Sequence, residues 1–429
     1  MAQPHKDHRV VDLMSRRGVM GLGATAAALG LGACGDADPD VASAPPDSDT
    51  DLSGSLVLWA YPMDQANDAE WYQPHIDSFQ EKFPGIDVEV VMQPWEGREE
   101  QLTASITGGN APDVVYMTPD FLPRFANEEL LVSLDELRDW STFTPESMEP
   151  LRFDGSLYAA PVLIQAAQTF ANKRLLNELG VEGPTTWDEM RTVGEIAAEA
   201  GYYLTQYNGD ETLNQNYYMY LWQAGGDVLT EDGTAAAFNS AEGLEALEFI
   251  KEMNDKGWLP VEPLSVIVPF EQTDLAQGNV VYSQGYMLST ARSVISDELE
   301  ILPPMQHREQ VAMGSVGAMS IFNTTEFPEA AAALVHHLSE PEFIESMAVD
   351  FAYYSPRSDL TGIHKDDEQV AEFEQYIEFV DKEVIHPQSR EIMETLKPTI
   401  QEVLLQGLDP QEALDTMESD VNDLLSRGG

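Results

Sequence analysis

The chain of 429 residues carries 22 Lys and Arg against 75 Asp and Glu, a formal net charge of −53. That sign argues against nucleic-acid binding, which needs the opposite field; the acid is spread along the chain, and molar salt, with a Debye length of about 3 Å, would screen its self-repulsion, which points to a halophilic protein. One cysteine rules out a disulfide framework, so stability must come from burial, and 43% hydrophobic residues over this length can fill the cores of two lobes.

The chain opens with Lys6, Arg9, Arg16 and Arg17, followed by Val19 to Ala33 without a charged residue. That apolar run is too short for a membrane-spanning helix and suits a signal h-region. Arg16 and Arg17 at its boundary read as a twin-arginine export signal. Leu31-Gly-Ala-Cys34 resembles a lipobox, whose cysteine receives lipid after cleavage, so residues 1–33 form a twin-arginine lipoprotein signal. Lipid chains on Cys34 would hold the protein at the outer face of the membrane. A plain cleaved signal without lipid stays open as the alternative, since Gly32 is an unusual lipobox residue. Residues 34–53, rich in Asp, Pro and Ser, read as an acidic disordered tether.

Gly54–Ala60 has the apolar character of a strand. Trp71, His75, Phe79 and Phe83 recur near helical spacing, and Pro84-Gly85 ends that helix. Ile86–Val91 alternates as a strand, Leu102–Ile106 suggests a helix closed by Gly108-Gly109, and Asp113–Met117 is a third strand. This rhythm predicts a mostly parallel sheet flanked by helices. Thr186-Trp-Asp-Glu189 fits a capping box opening a helix. Leu244, Leu247 and Ile250 form a helical stripe after Ser240, Val280–Ser283 and Ser315–Ile321 read as strands, and an alanine-rich helix follows from about Glu329 to Leu338. Leu414, Met417, Val421 and Leu424 mark a final helix.

Catalytic patterns are weak. There is no Gly-x-Ser-x-Gly elbow, phosphate loop or His-Glu-x-x-His helix. His336 and His337 are adjacent on a helix and point about a hundred degrees apart, a poor shared metal site; no metal and no cofactor are implied. A paired-carboxylate glycosidase remains an alternative, because Asp and Glu are abundant. Tandem tyrosines at Tyr202-Tyr203, Tyr217-Tyr218 and Tyr353-Tyr354 keep a ferric-iron or other small-solute carrier open. The aromatic residues are more informative. Trp59 and Tyr61 end the first strand, Trp95 follows the second and Asp120 the third. Open α/β sheets bind ligands beyond the carboxyl ends of their strands, and sugars need flat rings for their C–H faces and carboxylates for their hydroxyls.

Six segments in order resemble one family: KFPGIDVEV at 82–90, GGNAPDVVYM at 108–117, the run from Asp154 to Met190, the run from Trp222 to Ile250, AQGNVVYSQGYM at 276–287 and QEVLLQGLDPQEAL at 401–414. The resemblance is to the extracellular solute-binding proteins of ABC importers, in their maltose- and oligosaccharide-binding branch, and covers nearly all of Gly54 to Ser426. It implies an α/β, type II-like, two-lobed periplasmic-binding-protein fold. Each lobe would hold a mostly parallel sheet flanked by helices, with three hinge crossings near Pro161, Gly314 and Tyr354. Residues 54–163 and 314–352 would form the N-terminal lobe, and 164–313 and 353–429 the C-terminal lobe. The function implied is capture of a sugar or oligosaccharide by a non-enzymatic, monomeric protein that delivers it to the permease subunits of an ABC importer. Carried onto this sequence, the family's ligand positions fall on Trp59, Tyr61, Trp95, Asp120, Gln165, Trp222, Tyr286, Met287, Tyr354 and Arg357. The chain departs from the family pattern at Tyr158-Ala-Ala-Pro161, at Ala171-Asn-Lys173 and at Met287, where a stacking Trp is usual, so the particular sugar is left open.

Overall fold

The computed structural model describes residues 41–48, 51–63, 69–95, 97–209, 211–295, 299–380 and 383–428. Arg16, Arg17 and Cys34 lie outside them. Strands β1 (Ser53–Ala60), β2 (Gly85–Met92), β3 (Val114–Met117), β6 (Ala160–Ala166) and β10 (Gly314–Ile321) form a five-stranded sheet in the order β2-β1-β3-β10-β6. Between them in sequence lie a small ribbon of β4 (Arg152–Phe153) and β5 (Ser156–Leu157), and a three-stranded sheet β8-β7-β9, from β7 (Phe170–Asn172), β8 (Tyr282–Ser283) and β9 (Leu299–Ile301). Alternation builds β1: Leu56, Leu58 and Ala60 are buried, and the intervening residues face outward to varying degrees. Asp113 pins the entrance to β3, because the Val57 amide donates to its carboxylate at 2.8 Å.

Two hydrophobic cores follow. One draws on residues 42–163 and 316–353, the other on 171–311 and 384–425. A smaller cluster joins Ile164, Ala166 and Phe170 to Leu288, Ala312, Tyr354 and Phe373, where the chain passes between lobes. The arrangement is the two-lobed α/β class that the resemblance implies.

The mostly parallel expectation needs correction. β1 runs parallel to β2 and β3, but β10 is antiparallel to both β3 and β6. The cause is topological: β6 leaves the first lobe and β10 returns to it, so the two crossing strands must oppose each other. In the second sheet β7 is antiparallel to both neighbours for the same reason, since β7 enters and β8 and β9 come back. Val280 and Val281 are buried but lie outside the short β8; Val280 instead bridges Tyr203.

Two further expectations shift. In the helix Ala69–Lys82 the buried stripe is Tyr72, Ile76 and Phe79. Trp71 and His75 stand beside it and pack against Phe343, with ring centroids 5.7 and 5.0 Å away. The tether is not free over its whole length either. The Ala42 amide donates to the Ser133 carbonyl at 2.8 Å, the Ala44 amide to that of Glu136 at 3.0 Å, and Ala42 joins the first core. Small apolar residues between the aspartates let that stretch lie against the lobe.

Helix ends follow local chemistry. Thr186 and Glu189 form the reciprocal capping box at the helix Trp187–Ala200, and Ser240 caps the helix Ala241–Asp255. Among the described residues no helix is long and apolar enough to cross a membrane.

Candidate functional site

The site gathers at the carboxyl ends of β1 and β3, as the chemistry of open α/β sheets favours. Tyr61, just past β1, is almost fully buried, and Trp95, just past β2, lies against it. Tyr116 from β3 meets both rings nearly edge-on, at 6.4 and 6.0 Å. Arg98 opens the next helix, Arg98–Thr107. Its guanidinium carbon sits 5.1 Å from the Trp95 ring centroid and 4.8 Å from that of Phe121.

Asp120 is the centre of this group. Thr118 Oγ1 donates to its Oδ1 at 2.6 Å and itself receives Arg98 Nη2 at 3.1 Å. Arg98 Nη2 lies 3.6 Å from the same carboxylate oxygen. From the other lobe, Arg390 Nη2 pairs with Asp120 Oδ2, and Ser389 Oγ donates to the Asp120 carbonyl at 2.7 Å. Burial works against ionisation of Asp120, but Arg390, Arg98 and Thr118 together outweigh it and hold the carboxyl below its ordinary range. Glu383 lies on the same cleft and behaves oppositely. Burial and the neighbouring Asp120 charge push its carboxyl well above the usual range, against a 2.9 Å hydrogen bond from Ser315 Oγ.

On the second lobe, Trp222 is buried against Tyr218, with ring centroids 5.7 Å apart. Trp222 and Phe153, one from each lobe, line a cavity of 540 Å³ together with Asp227, Glu231, Glu383 and His386. The wall at 383–387 runs directly into Ser389 and Arg390. The cavity therefore adjoins the Asp120 group, and its size falls within the range of small-molecule sites.

Tyr61, Trp95 and Asp120 come together, with Trp222 across the cleft. The other sequence-derived positions lie apart from that group. Trp59 is half-buried on β1 against the first core. Gln165 is on β6, opposite Ser315 of β10. The Tyr286 hydroxyl accepts from Gln206 at 2.7 Å and Asn208 at 2.9 Å, and its ring packs on Phe270. Met287 packs with Ala167, Met219 and Met313. The Tyr354 hydroxyl donates to the Val370 carbonyl and accepts from Gln168, both at 3.2 Å, a network that ties the third crossing to the first. Arg357 is buried in a two-pronged pair with Asp359, at 2.9 and 2.8 Å. The tandem tyrosines point to separate partners: Tyr202 donates to Glu178, Tyr217 to the Gly243 carbonyl and Tyr353 to that of Met63.

Arg98, Glu383, Ser389 and Arg390 escape sequence reading, and Tyr218 enters it only as half of a tandem tyrosine pair. One signal does exist for Arg390. It sits in the first turn of the helix Ser389–Gln406, where the macrodipole favours the opposite sign.

The family of bacterial extracellular solute-binding proteins matches over residues 75–372. A putative binding protein of Brucella abortus is 26% identical over 257 residues, covering 58% of this chain and 61% of that one. The diacetylchitobiose binding protein DasA of Streptomyces coelicolor is 27% identical over 243 residues, 53% of each chain. The chain thus spans less than two thirds of the length of these curated relatives. Among solved structures, the GacH receptor of Streptomyces glaucescens, described unliganded and in complex with acarbose, superposes with a TM-score of 0.76 at 22% identity, covering 87% of this chain and 99% of that one.

Proposed function

The chain belongs to the bacterial extracellular solute-binding protein family, and from that premise we propose that it captures a sugar or oligosaccharide between its lobes and delivers it to the membrane subunits of an ABC importer. The observation that carries the reading is the convergence on Asp120. The stacked Tyr61–Trp95 pair and Arg98 approach from one lobe, and Ser389 and Arg390 from the other. Flat rings beside a buried charged group are what a pyranose needs. Donors from both lobes make solute capture and lobe closure one event, and the closed shape is what a permease can read.

In this reading the protein is a monomeric binding protein and not an enzyme. Arg16 and Arg17 direct its export, a lipid on Cys34 holds it at the outer face of the membrane, and the charge of −53 adapts it to high salt. Gln165 and Tyr354 belong to the hinge crossings, while Trp59, Tyr286, Met287 and Arg357 support the lobes around the site rather than the Asp120 group itself. The test is a thermal-shift screen of neutral and acidic mono- and oligosaccharides in molar salt. A ligand at 100 times its Kd adds about 2.7 kcal/mol. A panel in which no sugar raises the melting temperature would refute the reading. Cys34→Ser should free the folded protein into the medium, and retention on washed membranes would refute the anchor.

A further inference from the structure

The stretch that composition reads as a free tether carries a built contact. The Ala42 and Ala44 amides, two residues apart and so on one edge of an extended segment, donate to the Ser133 and Glu136 carbonyls at 2.8 and 3.0 Å. Val41 pairs with Ser133 as a parallel bridge, and Ala42 is 7% exposed within the first core. Pro45 and Pro46 come next. Without an N–H they cannot extend the pairing. The mode is strand addition to an open backbone edge.

The ledge that receives this stretch is itself bolted to the first lobe. The Val132 amide donates to the Ile321 carbonyl of β10 at 2.9 Å, and the Leu134 amide to the Leu157 carbonyl of β5 at 2.7 Å. Trp140 Nε1 donates to the Leu134 carbonyl at 3.0 Å. Asp135 accepts from Arg152 Nη1 at 2.9 Å and from the Leu157 amide at 3.2 Å. Chain length decides what the contact does. Cys34 and Ser53 are nineteen residue steps apart, which reach about 65 Å when fully extended. A lobe of about 160 residues is about 40 Å across, so a leash of that length lets it present any face to its anchor. Cys34 and Val41 are seven steps apart, at most about 25 Å. On that shorter leash the ledge can lie beneath or beside the lobe but not at its far pole.

Building on the reading of Cys34 as a lipid anchor, we propose that residues 41–44 are a strap that moves the point of attachment from β1 to the Ser133–Glu136 ledge and turns that face of the first lobe towards the lipid surface. Both strap bonds land on the first lobe. The first lobe is therefore the held half of the hinge, and the second is the half that swings on solute capture. The short leash also raises the local concentration of one oriented face at the membrane subunits.

The experiment has two arms, both on the full chain in molar KCl. Cys34 is the only thiol, so one nitroxide goes there and a second on Glu136→Cys, an exposed ledge position. Pulsed electron-spin measurement should give a distance centred under about 30 Å. Ala42→Asp, which sets a charge against the core, should broaden it and move it outward. Ala44→Pro removes the other strap donor at an exposed residue and should do the same even where Ala42→Asp impairs folding. In the second arm Cys34 is coupled to a maleimide-bearing lipid in phosphatidylcholine vesicles, so the arm does not depend on lipidation in the cell. Energy transfer from a dye on azidophenylalanine in place of Glu136 to a headgroup acceptor should fall at least about twofold when the strap is broken. A distance centred beyond about 45 Å in the parent, or transfer that both strap variants leave unchanged, overturns the inference and leaves the anchor reading intact. Native protein without lipid on Cys34 overturns the anchor reading and the membrane role of the strap together, whatever the distance between the nitroxides.

Discussion

Trp95 lies against Tyr61 with ring centroids 4.8 Å apart and planes inclined by 27°, yet Trp95 is 41% exposed and Tyr61 is 1% exposed. The outer ring can therefore be removed with little loss to the core, while the stacking face it offers a solute disappears. Trp95→Ala should cost 2 kcal/mol or more of binding, about thirtyfold in Kd, with the apo melting temperature nearly unchanged. Calorimetry with the best ligand of the screen, beside a melt of the apo variant, checks both halves.

Trp222 should behave differently. It is 1% exposed and packed on Tyr218, so Trp222→Ala leaves a cavity as well as removing a cleft wall. We expect a loss of about 3–5 kcal/mol of stability in denaturant unfolding. A variant as stable as the parent would show that the ring is dispensable to packing.

Glu383 sets a pH trend. Its folded carboxyl titrates above the ordinary 4.5 because of burial and Asp120. Its contribution is complete below that value and is lost as pH rises through the raised one. Asp120 has the opposite sign: its lowered value gives stability above the ordinary 3.8 that is lost as pH falls. Glu383→Gln should raise stability near neutral pH and flatten the decline above pH 4.5. Melts across the pH range in constant salt decide it, and an unchanged slope would exclude the assignment.

Gly314 begins β10 at the return crossing. A Cβ there would stand 1.8 Å from Val380 Cγ1 and 2.5 Å from the Gln165 carbonyl oxygen. Gly314→Ala should therefore push the 377–380 turn off the strand, at a cost of about 1–3 kcal/mol. Unfolding curves measure the cost. Small-angle scattering with and without ligand shows whether closure is altered.

Thr186→Ala removes one half of the capping box on the helix Trp187–Ala200. About 1 kcal/mol of stability should be lost, with binding untouched. A measured change in affinity would mean that this helix end moves with the cleft.

Local patterns were readable in the sequence because their causes are local. The strand at Ser53–Ala60 needs only alternation, and the caps at Thr186 and Ser240 need only a hydroxyl at the right offset. Pairing partners are different. Nothing in Gly314–Ile321 says that it will slot between β3 and β6, since an alternating pattern specifies faces and not neighbours. Ala42 shows the same limit: composition reads its surroundings as a solvated tether, and a single small residue with two backbone bonds nearby is enough to dock it. At the site, Tyr61, Trp95 and Asp120 were legible because each follows a strand. Ser389 and Arg390 were not, because they reach Asp120 across 269 and 270 positions of chain, a separation over which no spacing rule operates.

The seat of β10 between β3 and β6 in the first sheet also governs how the molecule is made. While the ribosome is still short of Ile321, β3 and β6 each wait with an open edge, and the nascent chain carries a half-sheet that nothing upstream can finish. Such edges invite pairing with other chains, and contacts of such long sequence range form slowly. The other core is no earlier, since it draws on residues 384–425. Neither lobe can be completed from an amino-terminal fragment, so a message cut short yields not a smaller binding protein but an aggregation-prone substrate for chaperones and proteases.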